Sequence, residues 1–170
     1  GWSVSPNNEW LAYSTDYVSR RIYTVHFKNL LTGETIQNAI SNSSGSVAWA
    51  NDNRTVFYTS KNDVTLLSEK IWRHKLGSDS KSDEMVYHEK DDTFYNGVYR
   101  SKSGDYIIIY NQSTLVSDFH ILNANNPDGD FMNFSPREKE HEYSIDHYQD
   151  KFFIISNWDA KNNRLMETSE

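Results

Sequence analysis

Short apolar segments, each preceded by a polar turn, recur along this chain at a nearly constant interval. Trp10-Leu11-Ala12-Tyr13, Val56-Phe57-Tyr58, Tyr106-Ile107-Ile108-Ile109 and Phe152-Phe153-Ile154-Ile155 form one set, with centres at Ala12, Phe57, Ile108 and Phe153 spaced 45, 51 and 45 residues apart. A second set lies downstream of the first. Its members are Ile22 to Val25, Ile71 to His74, Phe119 to Leu122 and Arg164 to Met166, and Tyr23, Trp72, Phe119 and Leu165 are 49, 47 and 46 apart. Turn residues follow the second set, at Leu31-Thr32-Gly33-Glu34, Leu76-Gly77-Ser78-Asp79 and Asn123 to Gly129, where Gly and Asn supply the backbone freedom of tight turns. No segment of useful length repeats every 3.6 residues, so the pattern is one of strands.

A unit of about 45–50 residues with four short strands is the signature of a β-propeller blade. The second unit shows it most fully, with strands at Ser46 to Trp49, Val56 to Tyr58, Ile71 to His74 and Met85 to Tyr87. The expected fold is all-β: a single partial β-propeller domain over 1–170, with three full four-stranded antiparallel blades and most of a fourth. The blades fall near 1–41, 42–89, 90–138 and 139–170. A plain antiparallel sandwich is the simpler alternative. Both ends read as strands cut from something longer, and an arc with unpaired blade edges is open to self-association.

Composition agrees with a folded β domain. The mean hydropathy of −0.79 is low, but five Trp, eleven Tyr and eight Phe among 170 residues set the chain apart from disordered sequences, which are poor in aromatics. These side chains suit strands. A net charge of −7 disfavours nucleic acid, whose phosphates it would repel. No apolar run approaches the ~18 residues of a membrane span, and the absence of Cys excludes disulfides and thiolate metal sites.

Five stretches, in this order, carry a family resemblance: Val18 to Tyr23, Val47 to Asp52, Ile71 to Gly77, Glu89 to Tyr95 and His141 to Tyr148. Together they resemble the N-terminal propeller domain of oligopeptidase B, or protease II, in the prolyl oligopeptidase family of serine peptidases. The resemblance runs along essentially the whole chain. It implies a partner domain in the same polypeptide, an α/β-hydrolase unit with a Ser–Asp–His triad that cuts short peptides after Arg or Lys. The propeller would cap that active site and admit only small peptides, and the location implied is the cytoplasm. A free-standing propeller-like module that binds a protein or peptide is the competing reading.

No G-x-S-x-G nucleophile elbow occurs, and Ser44-Gly45-Ser46 lacks its flanking glycines. Catalytic residues, cofactors and metal ligands are therefore all expected to be none. His26, His74 and His120 recur at blade spacing, which marks them as parts of the blades. Across the cluster from His141 to His147, strand alternation sends Glu142, Ser144 and Asp146 to one side and His141, Tyr143 and His147 to the other. The run Asn125 to Asp130 lacks the spacing of a calcium loop and reads as a hairpin turn. Trp49, Trp72, Phe57 and Phe153 are expected to pack between adjacent blades.

The charged segments are more informative. Connectors between blades fall at Asn42 to Gly45, Lys90 to Asp92 and Lys139 to Glu142, and propeller topology brings them to the same face as the loops between second and third strands. That face collects Arg20, Arg21, Asp91, Asp92, Glu140, His141 and Glu142. These seven are the candidates for contact with a catalytic domain or for steering basic peptides, which a carboxylate-rich approach favours.

Overall fold

A computed structural model describes residues 1–170 and contains fourteen β-strands and one turn of 3₁₀ helix at Ser80–Ser82. The strands group into four consecutive blades. Blade 1 holds β1 (Trp2–Val4), β2 (Trp10–Thr15), β3 (Tyr23–Asn29) and the first part of β4 (Ile40–Trp49). Blade 2 holds the rest of β4 with β5 (Thr55–Lys61), β6 (Ser68–Lys75) and β7 (Glu84–His88). Blade 3 is β8 (Tyr95–Arg100), β9 (Tyr106–Gln112), β10 (Ser117–Asn123) and the short β11 (Met132–Asn133). Blade 4 is β12 (Tyr143–Tyr148), β13 (Lys151–Ser156) and β14 (Arg164–Ser169). Every strand pairs antiparallel with its neighbour in sequence within the blade.

The second strand of each inner blade is buried on both sides, which explains its unbroken apolar runs. Successive side chains of a strand point to opposite faces. Val56 and Tyr58 of β5 accordingly join Phe27, Ile40 and Trp49 in a core between blades 1 and 2. Phe57, between them in sequence, joins Ile71, Val98, Ile107 and Ile109 between blades 2 and 3. Ile108 turns the other way and meets Phe119, Tyr143, Ile145 and Phe152 between blades 3 and 4. Fully burying a side chain of this size contributes about 1.5–3 kcal/mol. Trp72 is partly buried and packs against the first of these cores. In β13 the buried phenylalanine is Phe152, at 2% exposed, whereas Phe153 is only half-buried. Phe153 lies on the opposite strand face from Phe152, which joins the core with blade 3, so the expected role of Phe153 passes to Phe152.

One connector differs from expectation. Asn42 to Gly45, read as a loop, lies inside β4, which runs ten residues from the outer edge of blade 1 to the inner edge of blade 2. Ile40 and Ser43 pair with β3, while Val47 to Trp49 pair with β5. The change of partner is absorbed by two left-handed residues, Asn42 at φ 54° and Gly45 at φ 95°. A Cβ on Gly45 would lie 2.8 Å from the Tyr23 ring, so the position needs glycine for both conformation and space. Blades 1 and 2 consequently form one seven-stranded sheet.

Candidate functional site: the loop and connector face

The connectors and the second-to-third-strand loops interlock on one face. Asn42 Nδ2 donates to Lys61 O at 2.9 Å and to Asp63 at 2.7 Å. The Ser117 N–H donates to His141 O at 3.0 Å, and its hydroxyl donates to Tyr143 O at 2.7 Å. The Asn157 amide accepts from the Glu142 N–H at 3.0 Å and donates to Glu140 O at 3.0 Å. These contacts join blade boundaries to neighbouring loops and strand ends, which turns separate turns into one surface.

The seven charged candidates lie on this face, spread over three places. Arg20 and Arg21 are exposed on the β2–β3 loop. The Asp16 carboxylate folds that loop by accepting from the N–H groups of Val18, Arg20 and Arg21 at 2.7–3.3 Å. Desolvation opposes ionisation of Asp16, but these backbone bonds hold its carboxyl below the usual value. Asp91 and Asp92 are exposed between blades 2 and 3. Asp91 accepts from the Thr93 hydroxyl at 2.6 Å and N–H at 3.0 Å, and those bonds, with the charge of Arg137, lower its carboxyl. Asp91 is thus a turn-capping residue. Glu140 and Glu142 are exposed between blades 3 and 4, with His141 half-buried between them. His141 Nε2 lies 2.9 Å from Ser156 Oγ, and its ring stacks on Tyr143 with centroids 4.7 Å apart.

The same face carries residues that the sequence reading passed over. Arg137, in the connector from β11 to β12, donates to Glu89 at 2.5 Å and to Asp118, and its guanidinium sits 3.8 Å from the centroid of Phe94. Glu89 and Asp118 side chains are 8% and 3% exposed. Asn111 donates to Asp118 at 2.6 Å and to the Tyr87 hydroxyl at 2.8 Å, and Tyr87 donates to Glu89 at 3.2 Å. Burial pushes the Asp118 carboxyl up, but bonds from His120, Asn111 and Arg137 outweigh it and hold the group low. Burial and the nearby Glu89 and Asp118 raise the Tyr87 phenol. This network clasps blade 2 to blade 3. Its partners lie 19 and 48 residues from Arg137 in sequence, beyond the reach of any local motif.

Loop tips on this face are also apolar. Tyr17 and Val18, Val64, Leu115 and Trp158 occupy the four loops between second and third strands, at 77% and 67%, 90%, 55% and 44% exposed. Asx turns hold two of them outward: Asp16 binds the Val18 N–H, and Asn62 binds the Val64 N–H at 2.9 Å. Inside the arc, β1, β4 and β8 border a cavity of about 460 Å³ whose lining includes Trp2, Tyr13, Val47, Tyr99 and Arg100.

The histidines are tied into the blades. His26 stacks on Tyr13 with centroids 5.2 Å apart, and His74 lies 2.7 Å from Asp83. His147 Nδ1 contacts Ser103 Oγ at 2.8 Å, with Asp105 at 3.7 Å from the same nitrogen. His147 Nε2 lies 2.9 Å from Glu170 Oε1, so a serine and a carboxylate do stand on opposite ring nitrogens, as in a catalytic triad. The Ser103 hydroxyl, however, is paired with Ser101 Oγ at 2.9 Å and accepts from the Asp105 N–H at 3.0 Å, and His147 is 0% exposed, so this hydroxyl caps a turn. Asn125 to Gly129 form the β10–β11 turn. Arg73 donates to Pro127 O at 2.5 Å and Gly129 O at 3.2 Å, and Asp128 pairs with Lys75 at 2.8 Å.

The fold and sequence both match known proteins along the full chain. The model for the prolyl oligopeptidase N-terminal β-propeller domain matches residues 1–169. A dipeptidyl aminopeptidase BI from Pseudoxanthomonas mexicana is 40% identical over 168 residues, which are 99% of this chain and 23% of that protein. Protease 2 of Moraxella lacunata is 32% identical over 165 residues, 96% of this chain and 24% of that protein. Oligopeptidase B from Leishmania major superposes with a TM-score of 0.91 at 25% identity, over 99% of this chain and 24% of its own. Oligopeptidase B from Trypanosoma brucei, in a closed form with covalently bound antipain, gives 0.88 at 27% identity over 100% of this chain and 24% of its own. The chain thus spans about a quarter of the length of the relatives it matches. Four antiparallel blades in series, matched end to end in sequence and in backbone, place this chain among the N-terminal β-propeller domains of the prolyl oligopeptidase family.

Proposed function

We propose that this chain is the substrate-gating propeller of an oligopeptidase B-type serine peptidase that cleaves short peptides after basic residues. The observation that carries the reading is the superposition on oligopeptidase B over 99% of the chain at a TM-score of 0.91. The 32% identity to Protease 2 supports it. In this reading an α/β-hydrolase domain covers the loop and connector face. The exposed tips Val18, Val64, Leu115 and Trp158 become its apolar contacts, since rigidly presented apolar groups mark interaction surfaces. The inner strands form a wall that passes narrow peptides and excludes folded proteins. Asp91, Asp92, Glu140 and Glu142 supply the negative approach for basic peptides, acting over the ~8–10 Å screening length of physiological salt. Arg20, Arg21 and His141 face the covering domain as ion-pair partners.

The test uses the full-length protein. Neutralising Asp91, Asp92, Glu140 and Glu142 together (to Asn and Gln) is expected to lower kcat/KM for an arginyl peptide severalfold at low salt, with the difference closing as salt rises. An unchanged kcat/KM and salt slope would sink the steering role.

A second reading follows from the 40% identity to a protein named dipeptidyl aminopeptidase BI. In that reading the parent removes dipeptides from free amino termini. Acetylating the amino terminus of a peptide substrate separates the two, because an aminopeptidase loses the substrate and an oligopeptidase B-type enzyme keeps it.

A further inference from the structure

The seam between blades 3 and 4 contains an aromatic crevice outside the charged candidates. It encloses about 440 Å³, bordered by Tyr99, Tyr110, Phe119, Tyr143 and Ile145, with Gln112 and Ser144 at its exposed rim. Its floor depends on one glycine. Gly97 and Tyr110 are direct partners in the β8–β9 register, and a Cβ on Gly97 would lie 2.5 Å from three atoms of the Tyr110 side chain. The Tyr110 ring therefore lies across Gly97. Tyr95 and Tyr99, two residues to either side of that glycine, place their ring centroids 6.4 and 6.3 Å from Tyr110. Tyr95 remains 46% exposed. The Tyr99 hydroxyl donates to Ile145 O at 2.6 Å and closes the crevice across the seam. Tyr143 is 7% exposed, and its hydroxyl has no hydrogen-bond partner.

The electrostatic surroundings select the ligand. Burial, then the charge of Asp146, raises the Tyr99 phenol. Burial, then Asp118, with a further contribution from Glu138, raises the Tyr143 phenol. Four aromatic rings, those of Tyr99, Tyr110, Phe119 and Tyr143, line the crevice, and no cationic side chain does. Arg137, the nearby guanidinium, is already engaged by Glu89 and Asp118. Such a place repels anions and attracts a cation over an aromatic face. We propose that this crevice is a subsite for the cationic side chain of a peptide, arginine or lysine, seated against Tyr99, Tyr110 and Tyr143. The peptide nature of the ligand rests on the peptidase reading above; the preference for a cation rests on the crevice itself.

The experiment is photoaffinity labelling of the full-length protein with a diazirine-bearing N-acetyl-arginine amide, followed by mapping of the labelled residues. Label is expected within residues 95–145. N-acetyl-arginine amide should displace it at a concentration about two- to thirty-fold lower than N-acetyl-citrulline amide, the neutral isostere. Tyr110→Leu should abolish the label there, and Tyr110→Phe, which keeps the ring face, should retain it. Equal competition by the two amides, absence of label in these blades, or full labelling of Tyr110→Leu would overturn the site. The label is read by its position in the sequence and not by hydrolysis of the arginyl amide, so the two proposals fail separately. Labelling of these blades in a protein without preference for basic residues in cleavage would refute the functional reading and keep the subsite. A basic preference in cleavage without such labelling would refute the subsite alone.

Discussion

His74 Nδ1 lies 2.7 Å from Asp83 Oδ1, and the two side chains are 0% and 1% exposed. Asp83 also accepts from the Tyr58 hydroxyl at 2.9 Å, and the His74 ring stacks on Phe27 of blade 1 with centroids 5.6 Å apart and planes 5° apart. Removing one partner leaves the other buried and uncompensated. Asp83→Ala should therefore destabilise the fold by about 3–5 kcal/mol. Urea unfolding followed by tryptophan fluorescence measures this, and a loss below about 1 kcal/mol would show that the group is not holding the seam between blades 1 and 2.

The Arg137 clasp predicts a pH-dependent loss. The Asp118 carboxyl lies below its ordinary value of 3.8 in the fold. A lowered carboxyl adds stability above its unfolded pKa, and this is lost as pH falls through the folded value. Arg137→Met removes one of the donors that lower it. Since Arg137 is one-third exposed, solvent screening reduces the penalty, and a loss of about 2 kcal/mol is expected at pH 7. The gap from the wild type should narrow as pH falls from 3.8 through the lowered folded value of Asp118. Thermal melts across this range would show the convergence; a constant gap would mean that Asp118 is not the group involved.

Gly97→Ala should force the Tyr110 ring out of place, at about 1–3 kcal/mol for overpacking. In a Tyr110→Ala background the same change should be neutral or slightly stabilising, because alanine loses less backbone entropy than glycine. The double-mutant cycle reads the coupling directly, and additive effects would contradict the contact.

Gly45→Ala combines a left-handed backbone with a contact to Tyr23. Strain of about 1–3 kcal/mol is expected from the conformation alone, with overpacking in addition. Chemical denaturation of the variant checks it. Gly77→Ala, at φ 89° with nothing within 4 Å, should incur only the conformational part and serves as the internal comparison.

Much of this fold can be read from the repeat. The strands around Ala12, Phe57 and Ile108 lie where spacing placed them, because a blade's second strand is apolar throughout and bounded by turns. The shift from Phe153 to Phe152 arose because two adjacent phenylalanines look alike until a neighbouring blade selects one face. The turn role of Asp91 was readable, since a short-range Asp–Thr pattern caps itself. Arg137 was not, because its meaning depends on Glu89 and Asp118 arriving from two other blade segments. The crevice was hidden for the same reason: only the strand register sets Gly97 under Tyr110.

The unbroken course of β4 has a consequence for how this protein can be taken apart. Nicking proteases and tolerated insertions act at exposed, weakly bonded backbone, and the junction of blades 1 and 2 offers a ribbon hydrogen-bonded first to one side and then to the other. The first two blades should behave as a single indivisible module. Cuts that separate whole blades should find their openings instead at the junctions beyond His88, while loop tips such as those at Val18 and Val64 stay open to nicks that leave the two blades joined.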